Sequence, residues 1–334
     1  MYRMKSMFLY HVVHHLVAIL LCALPLGLRA QEREVVVQTD TFRLPATFVA
    51  PAGGEGKFPC VVMVHGSGPN DRDETVGPNK LFRDLADSLQ AHGIASLRYE
   101  KRTRIYGAAS LPAGREMDYD VEVVEDALSA LRLAAAQPEV DRSRLFIVGH
   151  SLGAMLAPRI AERVPEVAGV VMLAAPARKL TDLLIGQSIF LRHTYEKMPG
   201  VPQAILQQLS ELEEKARNAQ RLGTPQYDEA IGLPTGLTPS YLAMDQQYNP
   251  VKTAAALKQP LMLVQGERDY QVSMVDYSLW CTGLMMRGGV TYCCYPKLNH
   301  LMREGEGPAS PMEYATPKPL PQQLVDDIVR FIKP

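Results

Sequence analysis

The chain has 334 residues with 35 basic and 36 acidic side chains, so it is close to neutral at pH 7. This balance gives no indication of nucleic-acid binding, which usually requires a strongly basic surface. After a possible leader is removed, about 300 residues remain, which is enough for one large hydrophobic core or two modest ones.

The first thirty residues are typical of a secretory signal peptide. Their start is basic, with Arg3 and Lys5, and an apolar run follows over residues 16–28. Ala30 occupies a plausible cleavage site, and the apolar run is short for a membrane-spanning helix and is interrupted by Pro25. We therefore expect cleavage and export to the periplasm or the medium of a bacterium, with no stable membrane insertion of the processed protein.

Two other fates of this leader remain open. The apolar run could be retained as an anchor, or the chain could be a lipoprotein attached through Cys22. The lipoprotein is less consistent with the sequence, because Leu21 is large for the position before a lipidated cysteine and the apolar run continues beyond it.

Four cysteines follow the leader, namely Cys60, Cys281, Cys293 and Cys294. They form no C-x-x-C pair and no Cys/His cluster with zinc spacing, so we expect neither a metal nor another cofactor. Export would permit a disulfide, but adjacent Cys293 and Cys294 point to opposite faces of a strand. At most one of them would reach Cys281, and the pairing stays open.

Strand and helix patterns alternate along most of the remaining chain. It begins with "REVVVQT" and "TFRLPATFVAP", joined by a tight turn at residues 39–41, which predicts an antiparallel pair of strands. This alternation predicts an α/β fold with a mostly parallel sheet and helices on both faces. Further strands are predicted at residues 60–66, 94–99, 144–149, 168–176, 261–266 and 290–296, and helices at residues 79–93, 118–136, 272–287 and 321–332.

The segment 177–258 interrupts this alternation with about 80 residues, where one crossover helix needs far fewer. Its pattern is helical and is divided by proline and glycine. We expect a helical cap over the carboxyl edge of the sheet, with an apolar inner face and a further wall at residues 241–248; a peripheral decoration is the alternative. The predicted units are thus a signal peptide (1–30), a core (31–176 and 259–334) and a cap (177–258).

The stretch "FIVGHSLGAML" (146–156) places Ser151 between two glycines, after a strand pattern and before a helical one. A nucleophilic serine must present its hydroxyl beyond its own backbone, and a sharp strand-to-helix corner does this. The glycines at 149 and 153 are needed because side chains there would collide with neighbouring elements. The pattern therefore predicts that Ser151 is a nucleophile.

A nucleophilic serine needs a general base, and His300 is the candidate that position favours. The other histidines after the leader lie at an early strand end, at a helix end, inside the serine motif and in the insertion. His300 follows the last predicted strand, at the carboxyl edge where active sites of open α/β folds gather. Asp269, in the loop after the strand 261–266, is the expected acid that orients it, with Glu267 as the alternative.

The oxyanion of a tetrahedral intermediate needs two backbone N–H donors. Leu152, which follows the nucleophile at a helix start, should supply one. The loop "HGSGPNDRDE" (65–74) should supply the other, through Ser67 or, as the second choice, Gly68. A phosphate-binding function of this loop is not supported, because no Gly-Lys-Ser/Thr follows.

Residues 70–73 of the same loop are polar and charged. We interpret them as a hydrogen-bonded support for the oxyanion donors, in which Arg102 of "YEKRT" would pair with Asp71 or Asp73. Contact with the substrate, or a second acid/base site, is the alternative.

Taken together, "HGSGPNDRDE", "FRDLADSL", "GIASLRYEKRT", "GHSLGAMLAPRIA", "LVQGERDYQV" and "LNHLM" resemble the bacterial α/β-hydrolase superfamily. The resemblance is to small carboxylesterases related to the serine-aminopeptidase-like and dienelactone-hydrolase-like branches, and it covers residues 35–332. It implies the α/β-hydrolase fold, a helical cap and the cleavage of small-molecule esters with short acyl chains.

The leading hypothesis is thus a carboxylic ester hydrolase that works through an acyl-enzyme on Ser151, His300 and Asp269. A peptidase or amidase of the serine aminopeptidase type is the nearest alternative, because amides pass through the same intermediates. A binding protein built on an inactive hydrolase is less consistent with the presence of all three residues. The natural substrate and the oligomeric state are not determined by the sequence.

Overall fold

The computed structural model describes residues 31–53 and 56–334. The signal-peptide prediction falls on residues 1–30, which lie outside the described residues. Strands occur at β1 (Gln31–Gln38), β2 (Arg43–Ala50), β3 (Phe58–Val64), β4 (Thr75–Val76), β5 (Asn79–Lys80), β6 (Ala95–Tyr99), β7 (Val140–His150), β8 (Gly169–Leu173), β9 (Leu261–Gly266) and β10 (Val290–Tyr295).

Helices cover both faces of the sheet. The α-helices are α1 (Leu81–Ala91), α2 (Arg102–Tyr106), α3 (Glu125–Ala135), α4 (Leu152–Arg163), α5 (Leu180–Glu196), α6 (Gln203–Ala219), α7 (Pro239–Gln247), α8 (Pro250–Ala256), α9 (Met274–Leu284) and α10 (Gln322–Ile332). Short 3₁₀ turns occupy Gly107–Ser110 and Pro311–Ala315, and a π-helical turn, Asp120–Val124, leads into α3.

Eight strands form one sheet in the order β1-β2-β6-β3-β7-β8-β9-β10, and β4 pairs with β5 in a separate hairpin. The strand β2 runs antiparallel to both β1 and β6, whereas the pairs from β6 to β10 are parallel. This confirms the predicted fold class, with antiparallel strands at the start and a parallel remainder. In a parallel sheet the carboxyl ends of the strands share one edge, so the loops after β3, β6, β7, β9 and β10 come together.

Both faces of the central strands are buried, which explains their almost continuous apolar sequence. On β3, Val62 and Val64 belong to one core cluster, and Val61 and Met63 belong to the other. The first cluster includes residues of α3 and α4, and the second includes residues of α1 and α10. Successive side chains of one strand enter different cores because they point to opposite faces of the sheet.

The inserted helices fall into two groups with different burial. The helices α7 and α8 are the last two before β9. Their residues Tyr241, Leu242 and Ala254 are buried. In contrast, the α-helix α6 buries only Ala216, Asn218 and Ala219 of its seventeen residues, and it packs on α5. Thus α7 and α8 are integrated with the core, whereas α6 is largely exposed and most side chains of α5 are half-buried.

Some elements were not predicted from the sequence. These are the short helices α2 and α8 and the hairpin β4–β5. Cys60, Cys281, Cys293 and Cys294 are free thiols in the structure. Within residues 31–53 and 56–334, no helix is both long and apolar enough to cross a bilayer.

Candidate active site

The serine corner lies between β7 and α4. Ser151 has φ 52° and ψ −119°, a conformation that is costly for a residue with a side chain and that is typical of functional turns. A Cβ at Gly149 would collide with the backbone of Gly153, and one at Gly153 would collide with the carbonyls of Val64 and His65. The two glycines therefore allow the strand, the helix and the neighbouring β3 to pack closely around Ser151.

Backbone hydrogen bonds hold this strained corner. The Ser151 N–H donates to the Leu173 carbonyl at 2.9 Å, which connects the corner to the end of β8. The Ser151 carbonyl accepts the Met155 N–H at 2.9 Å as the first turn of α4. The N–H of Leu152, at the start of this helix, has no acceptor among the described residues. It is thus available to a negative charge at the helix start.

His300 and Asp269 form a buried hydrogen-bonded pair. Nδ1 of His300 lies 2.7 Å from Oδ2 of Asp269, and the side chains are only 6% and 0% exposed. The other carboxylate oxygen, Oδ1, accepts the N–H groups of Gln271 and Val272 at 2.8 and 2.9 Å. These bonds fix the carboxylate and therefore the orientation of the imidazole ring.

The alternative acid, Glu267, takes no part in this pair. Its Oε1 accepts a long hydrogen bond, 3.7 Å, from Sγ of Cys294 on β10. Of the two acids considered from the sequence, the structure places Asp269 against His300.

His150, the residue before Ser151 in the chain, contacts His300. The rings of His150 and His300 lie 4.7 Å apart, and Nε2 of His150 donates to the His300 carbonyl at 2.8 Å. Within the part of the chain that the structure describes, the Ser151 hydroxyl and the His300 ring share no hydrogen bond. Such bonds are often loose before a substrate binds and tighten in the reacting complex.

The loop after β3 lies directly against Ser151. A Cβ at Gly66 would lie 3.2 Å from the Ser151 Cβ and 3.0 Å from Oε1 of Glu74, so a side chain there would press on both residues. The Gly66 N–H is occupied, because it donates to Oε1 of Glu74 at 2.6 Å. The next N–H, that of Ser67, has no acceptor among residues 31–53 and 56–334. The Ser67 N–H is therefore free of an acceptor among these residues, and its role as an oxyanion donor stays a prediction.

Residues 70–73 do form a hydrogen-bonded loop. Nδ2 of Asn70 donates to the carbonyls of Gly66 and Ser67, both at 3.0 Å. Oδ1 of Asp71 accepts the N–H groups of Asp73 and Thr75. The loop therefore supports the backbone of Gly66 and Ser67.

The expected partner of Arg102 was wrong. The guanidinium pairs with Asp126 at the start of α3, at 2.5 and 2.9 Å, instead of Asp71 or Asp73. Both Arg102 and Asp126 are 1% exposed, so the pair ties α2 to α3 inside the core. The sequence pattern favours the acids in the loop after β3, whereas Asp126 comes close to Arg102 only because α3 packs on the sheet.

Glu74 is a site residue that sequence reasoning missed. It is buried and has φ 51°. Its Oε1 lies 3.0 Å from Nδ1 of His150, an ion-pair contact inside the protein. Burial lowers the pKa of His150, but Glu74, the His300 carbonyl and Asp269 together raise it above its usual value. For Glu74, burial raises the pKa, and His150, His65 and the Gly66 N–H together bring it below the usual value. The only signal in the sequence was an acid at the end of "NDRDE".

The helix α5 contacts the loop that carries Asp269. The rings of Phe190 and Tyr270 stack at 4.5 Å with an interplanar angle of 8°. Nε2 of Gln187 donates to the Gln271 carbonyl at 3.2 Å. Thus α5, on which α6 packs, lies against the loop that carries Asp269.

Residues 241–248, expected as a further wall of the acyl site, contact the core instead. The Tyr241 hydroxyl donates to Oε2 of Glu122 at 2.6 Å, and the Tyr248 hydroxyl donates to the Met155 carbonyl at 2.9 Å. Both rings also lie against Tyr119. We therefore expect α5 and α6, rather than these tyrosines, to supply the apolar wall. In the described ranges, no group of three or more His, Cys, Asp or Glu side chains is arranged to hold a metal ion.

Comparison with known proteins decides the family. The family model described as "Serine aminopeptidase, S33" matches residues 60–305. The chain belongs to this family of α/β-hydrolases. It is also 37% identical over 302 residues to Esterase EstD of Thermotoga maritima, a match that covers 90% of this chain and 67% of that protein. The resemblance predicted from the sequence is therefore confirmed, and this member of the family is a hydrolase.

Solved structures of the superfamily have the same fold. The Pyrococcus furiosus esterase Pf2001 aligns with a TM-score of 0.57 at 16% identity and covers 92% of each chain. Est1E from Butyrivibrio proteoclasticus aligns with a TM-score of 0.57 at 14% identity, covering 90% of this chain and 97% of its own. A putative dienelactone hydrolase from Klebsiella pneumoniae has a TM-score of 0.52 at 16% identity, with coverages of 91% and 98%.

Proposed function

We propose that this member of the serine aminopeptidase S33 family is a carboxylic ester hydrolase that uses Ser151, His300 and Asp269 as its catalytic triad. The observation that carries the proposal is the buried hydrogen bond from His300 to Asp269, beside a serine held at φ 52° on a strand-to-helix corner. A serine in that conformation has its hydroxyl clear of the backbone, and a histidine so paired is a suitable base. The 37% identity to an esterase supports an ester as the substrate.

The reaction follows from these positions. Nε2 of His300 takes the Ser151 hydroxyl proton while Oγ bonds to the ester carbon and the carbonyl electrons move to its oxygen. The N–H groups of Leu152 and Ser67 donate to that oxyanion. When the carbonyl re-forms, the bond to the alcohol breaks, and the alcohol leaves with the proton from His300. Water then repeats the steps on the acyl-enzyme, which releases the acid and restores Ser151.

We propose that α5 and α6 form the acyl-binding part of the cap. The helix α5 contacts the loop of Asp269 through Phe190, and these helices keep apolar side chains such as Ile189 and Ile205 exposed at 41% and 37%. Apolar surface beside a catalytic serine is suited to short or medium acyl chains.

The test uses the purified protein, a fluorophosphonate serine probe and a panel of p-nitrophenyl esters with graded acyl chains. We expect wild type to be labelled and to hydrolyse the shorter esters, and Ser151→Ala to lose labelling and at least about 10³-fold in kcat. Ser143→Ala is the matched control, because Ser143 lies near the opposite end of β7 and is hydrogen-bonded to Asp141. Labelling and turnover near wild type in Ser151→Ala would reject the mechanism.

The family description makes amide cleavage the second candidate. An aminopeptidase needs a carboxylate that can receive the substrate's ammonium group. Three buried acids at this edge, Glu74, Glu122 and Asp269, are already paired with protein groups, which favours an ester. Parallel assays with p-nitrophenyl acetate and aminoacyl p-nitroanilides will compare the two, and a higher kcat/KM on the anilides would reverse the assignment.

We also propose that the protein is exported, on the basis of the leader pattern in residues 1–30 alone. Expression of the full chain in a bacterium, followed by fractionation and N-terminal sequencing, tests it. A soluble periplasmic or secreted form that begins near residue 31 is expected, and a cytoplasmic form that retains residue 1 would contradict the proposal.

A further inference from the structure

A buried lysine holds the peptide unit that carries the Ser67 N–H. Nζ of Lys101 donates to the Gly66 carbonyl at 2.8 Å, and Nδ2 of Asn70 donates to the same oxygen at 3.0 Å. The Gly66 carbonyl and the Ser67 N–H belong to one planar peptide group. A group that fixes the direction of the carbonyl therefore also fixes the direction of the N–H.

The sheet order shows in which direction this N–H points. The described peptides contain no cis bonds, so the carbonyl and the N–H point to opposite sides. Lys101 follows β6 and Ser151 follows β7, and these strands flank β3 on its two sides. Since the carbonyl is bonded to Lys101, which follows β6, we expect the Ser67 N–H on the β7 side, where Ser151 lies.

Lys101 is held by partners from two other elements. Its residue is 2% exposed, and Nζ lies 2.5 Å from Oε1 of Glu122. The second oxygen of Glu122 accepts the Tyr241 hydroxyl, from α7, at 2.6 Å. The backbone N–H of Lys101 also donates to the Asn70 carbonyl at 3.3 Å. Removing a lysine from water is costly unless it is paired, so this arrangement keeps a full positive charge beside one carbonyl oxygen.

We propose that Lys101 is a positioning residue of the oxyanion hole: it orients and polarises the Gly66–Ser67 peptide so that the Ser67 N–H donates to the developing negative charge. Glu122 and Tyr241 hold Lys101 in place. The inference rests on the proposed function, because it requires the Ser67 N–H to be an oxyanion donor.

The effect is concentrated in the transition state. A cation at the carbonyl oxygen withdraws electron density along the peptide and makes its N–H a stronger donor. The N–H meets a full negative charge only when the tetrahedral intermediate forms, so the loss of Lys101 should lower kcat and change KM little. Loss of a whole oxyanion donor typically costs about 10²–10³-fold in kcat, and a misdirected donor should cost about 10–10²-fold.

The experiment compares wild type with Lys101→Met, which keeps the length of the side chain and removes its charge and donors. Ester kinetics give kcat and KM. The affinity for a trifluoromethyl ketone, which adds to the serine as a hemiketal oxyanion, reports on the oxyanion hole without turnover. We expect kcat and ketone affinity to fall by similar factors, about 10–10²-fold, with KM within about threefold.

Lys179→Met is the matched control. Nζ of Lys179 also donates to backbone carbonyls, those of Asp245, Gln246 and Tyr248, but these lie at the end of α7. We expect this variant to lose thermal stability and to keep the ketone affinity within about threefold of wild type. In Lys101→Arg, a guanidinium can still donate to the Gly66 carbonyl, so part of the lost kcat should return.

The outcomes separate the two proposals. If wild type binds no ketone and turns over no ester, the proposed function fails and this inference fails with it. If wild type does both and Lys101→Met keeps both the ketone affinity and kcat, only the role of Lys101 is overturned. If Lys101→Met does not fold, Glu122→Gln and Tyr241→Phe take its place: a matched severalfold fall in kcat and ketone affinity supports the role, and wild-type values in both overturn it.

Discussion

The carboxyl edge of the sheet and the helix pair α5 and α6 are built in opposite ways. At the edge, Glu74, Lys101, Glu122, Asp269 and His300 are all nearly buried, and each is paired with a specific atom. The helix pair has few buried residues and contacts the edge through an aromatic stack and a single amide hydrogen bond. Buried polar pairs fix atoms to within fractions of an ångström, whereas apolar contacts tolerate changes of shape. The edge is therefore suited to chemistry, and the helix pair to adaptable binding.

The strongest test of the edge is the removal of the base. We expect His300→Ala to lower kcat by at least about 10³-fold, because neither step of acyl transfer then has a proton acceptor. Ester kinetics and circular dichroism together show whether activity is lost while the fold survives. His92→Ala is the control, since His92 lies at the end of α1 and Nδ1 contacts only the Ser88 carbonyl. Activity in His300→Ala equal to that of His92→Ala would contradict the triad.

The choice between the two acids gives the next largest effect. Asp269→Asn should lower kcat by about 10²–10⁴-fold, because an amide can stabilise the wrong tautomer of His300 and cannot stabilise its cation. Glu267→Gln, two residues away and bonded to Cys294, should stay within about threefold of wild type. The kcat values of the two variants, measured side by side, check the assignment, and a larger loss in Glu267→Gln would reverse it.

Removal of the helix pair should alter preference more than chemistry. We would replace residues 184–236 with a Gly/Ser linker and leave α7 and α8, whose Tyr241 and Ala254 are buried in the core. The truncated protein should still react with a small fluorophosphonate, and its chain-length preference across the ester panel should flatten, because the apolar wall is gone. A folded truncation with the wild-type preference would show that the pair is peripheral to binding.

The smallest expected effect is on stability in acid. Burial lowers the pKa of His65 to about 4, an effect that Lys101 reinforces and Glu74 opposes. An unfolded chain protonates this histidine near its usual pKa of about 6.5, so the unfolded state binds more protons between about pH 6.5 and 4. The free energy of unfolding should therefore decrease as the pH is lowered through that window, by up to about 1.4 kcal/mol per pH unit from this group.

Urea unfolding of wild type and His65→Asn at several pH values measures this slope. The variant should be less stable overall, since His65 packs against Tyr99 and Phe82, but its stability should depend less on pH in the window. The raised pKa of His150 acts in a different range: its stabilising contribution is complete below its unfolded value and is lost as pH rises through its folded value. An unchanged slope in His65→Asn would mean that His65 is not the group responsible.

Much of this molecule could be predicted from local patterns. The strand, turn and helix around Ser151, the parallel sheet and the antiparallel start all follow from hydrophobic periodicity and from glycine placement, which act within a few residues. The chain order of Ser151, Asp269 and His300 also placed all three at one sheet edge, because parallel strands bring their carboxyl ends together.

Contacts between distant segments were decided only by the tertiary structure. Glu74, Lys101 and Glu122 were ordinary charged residues in the sequence, and only the packing of three elements around Gly66 gave them buried partners. Packing also placed Arg102 against Asp126. It buried residues of α7 and α8 in the core and left α6 largely exposed. The physical reason is that hydrophobic patterning specifies which faces are buried, whereas the partner of a buried charge depends on the positions of atoms from segments far apart in the chain.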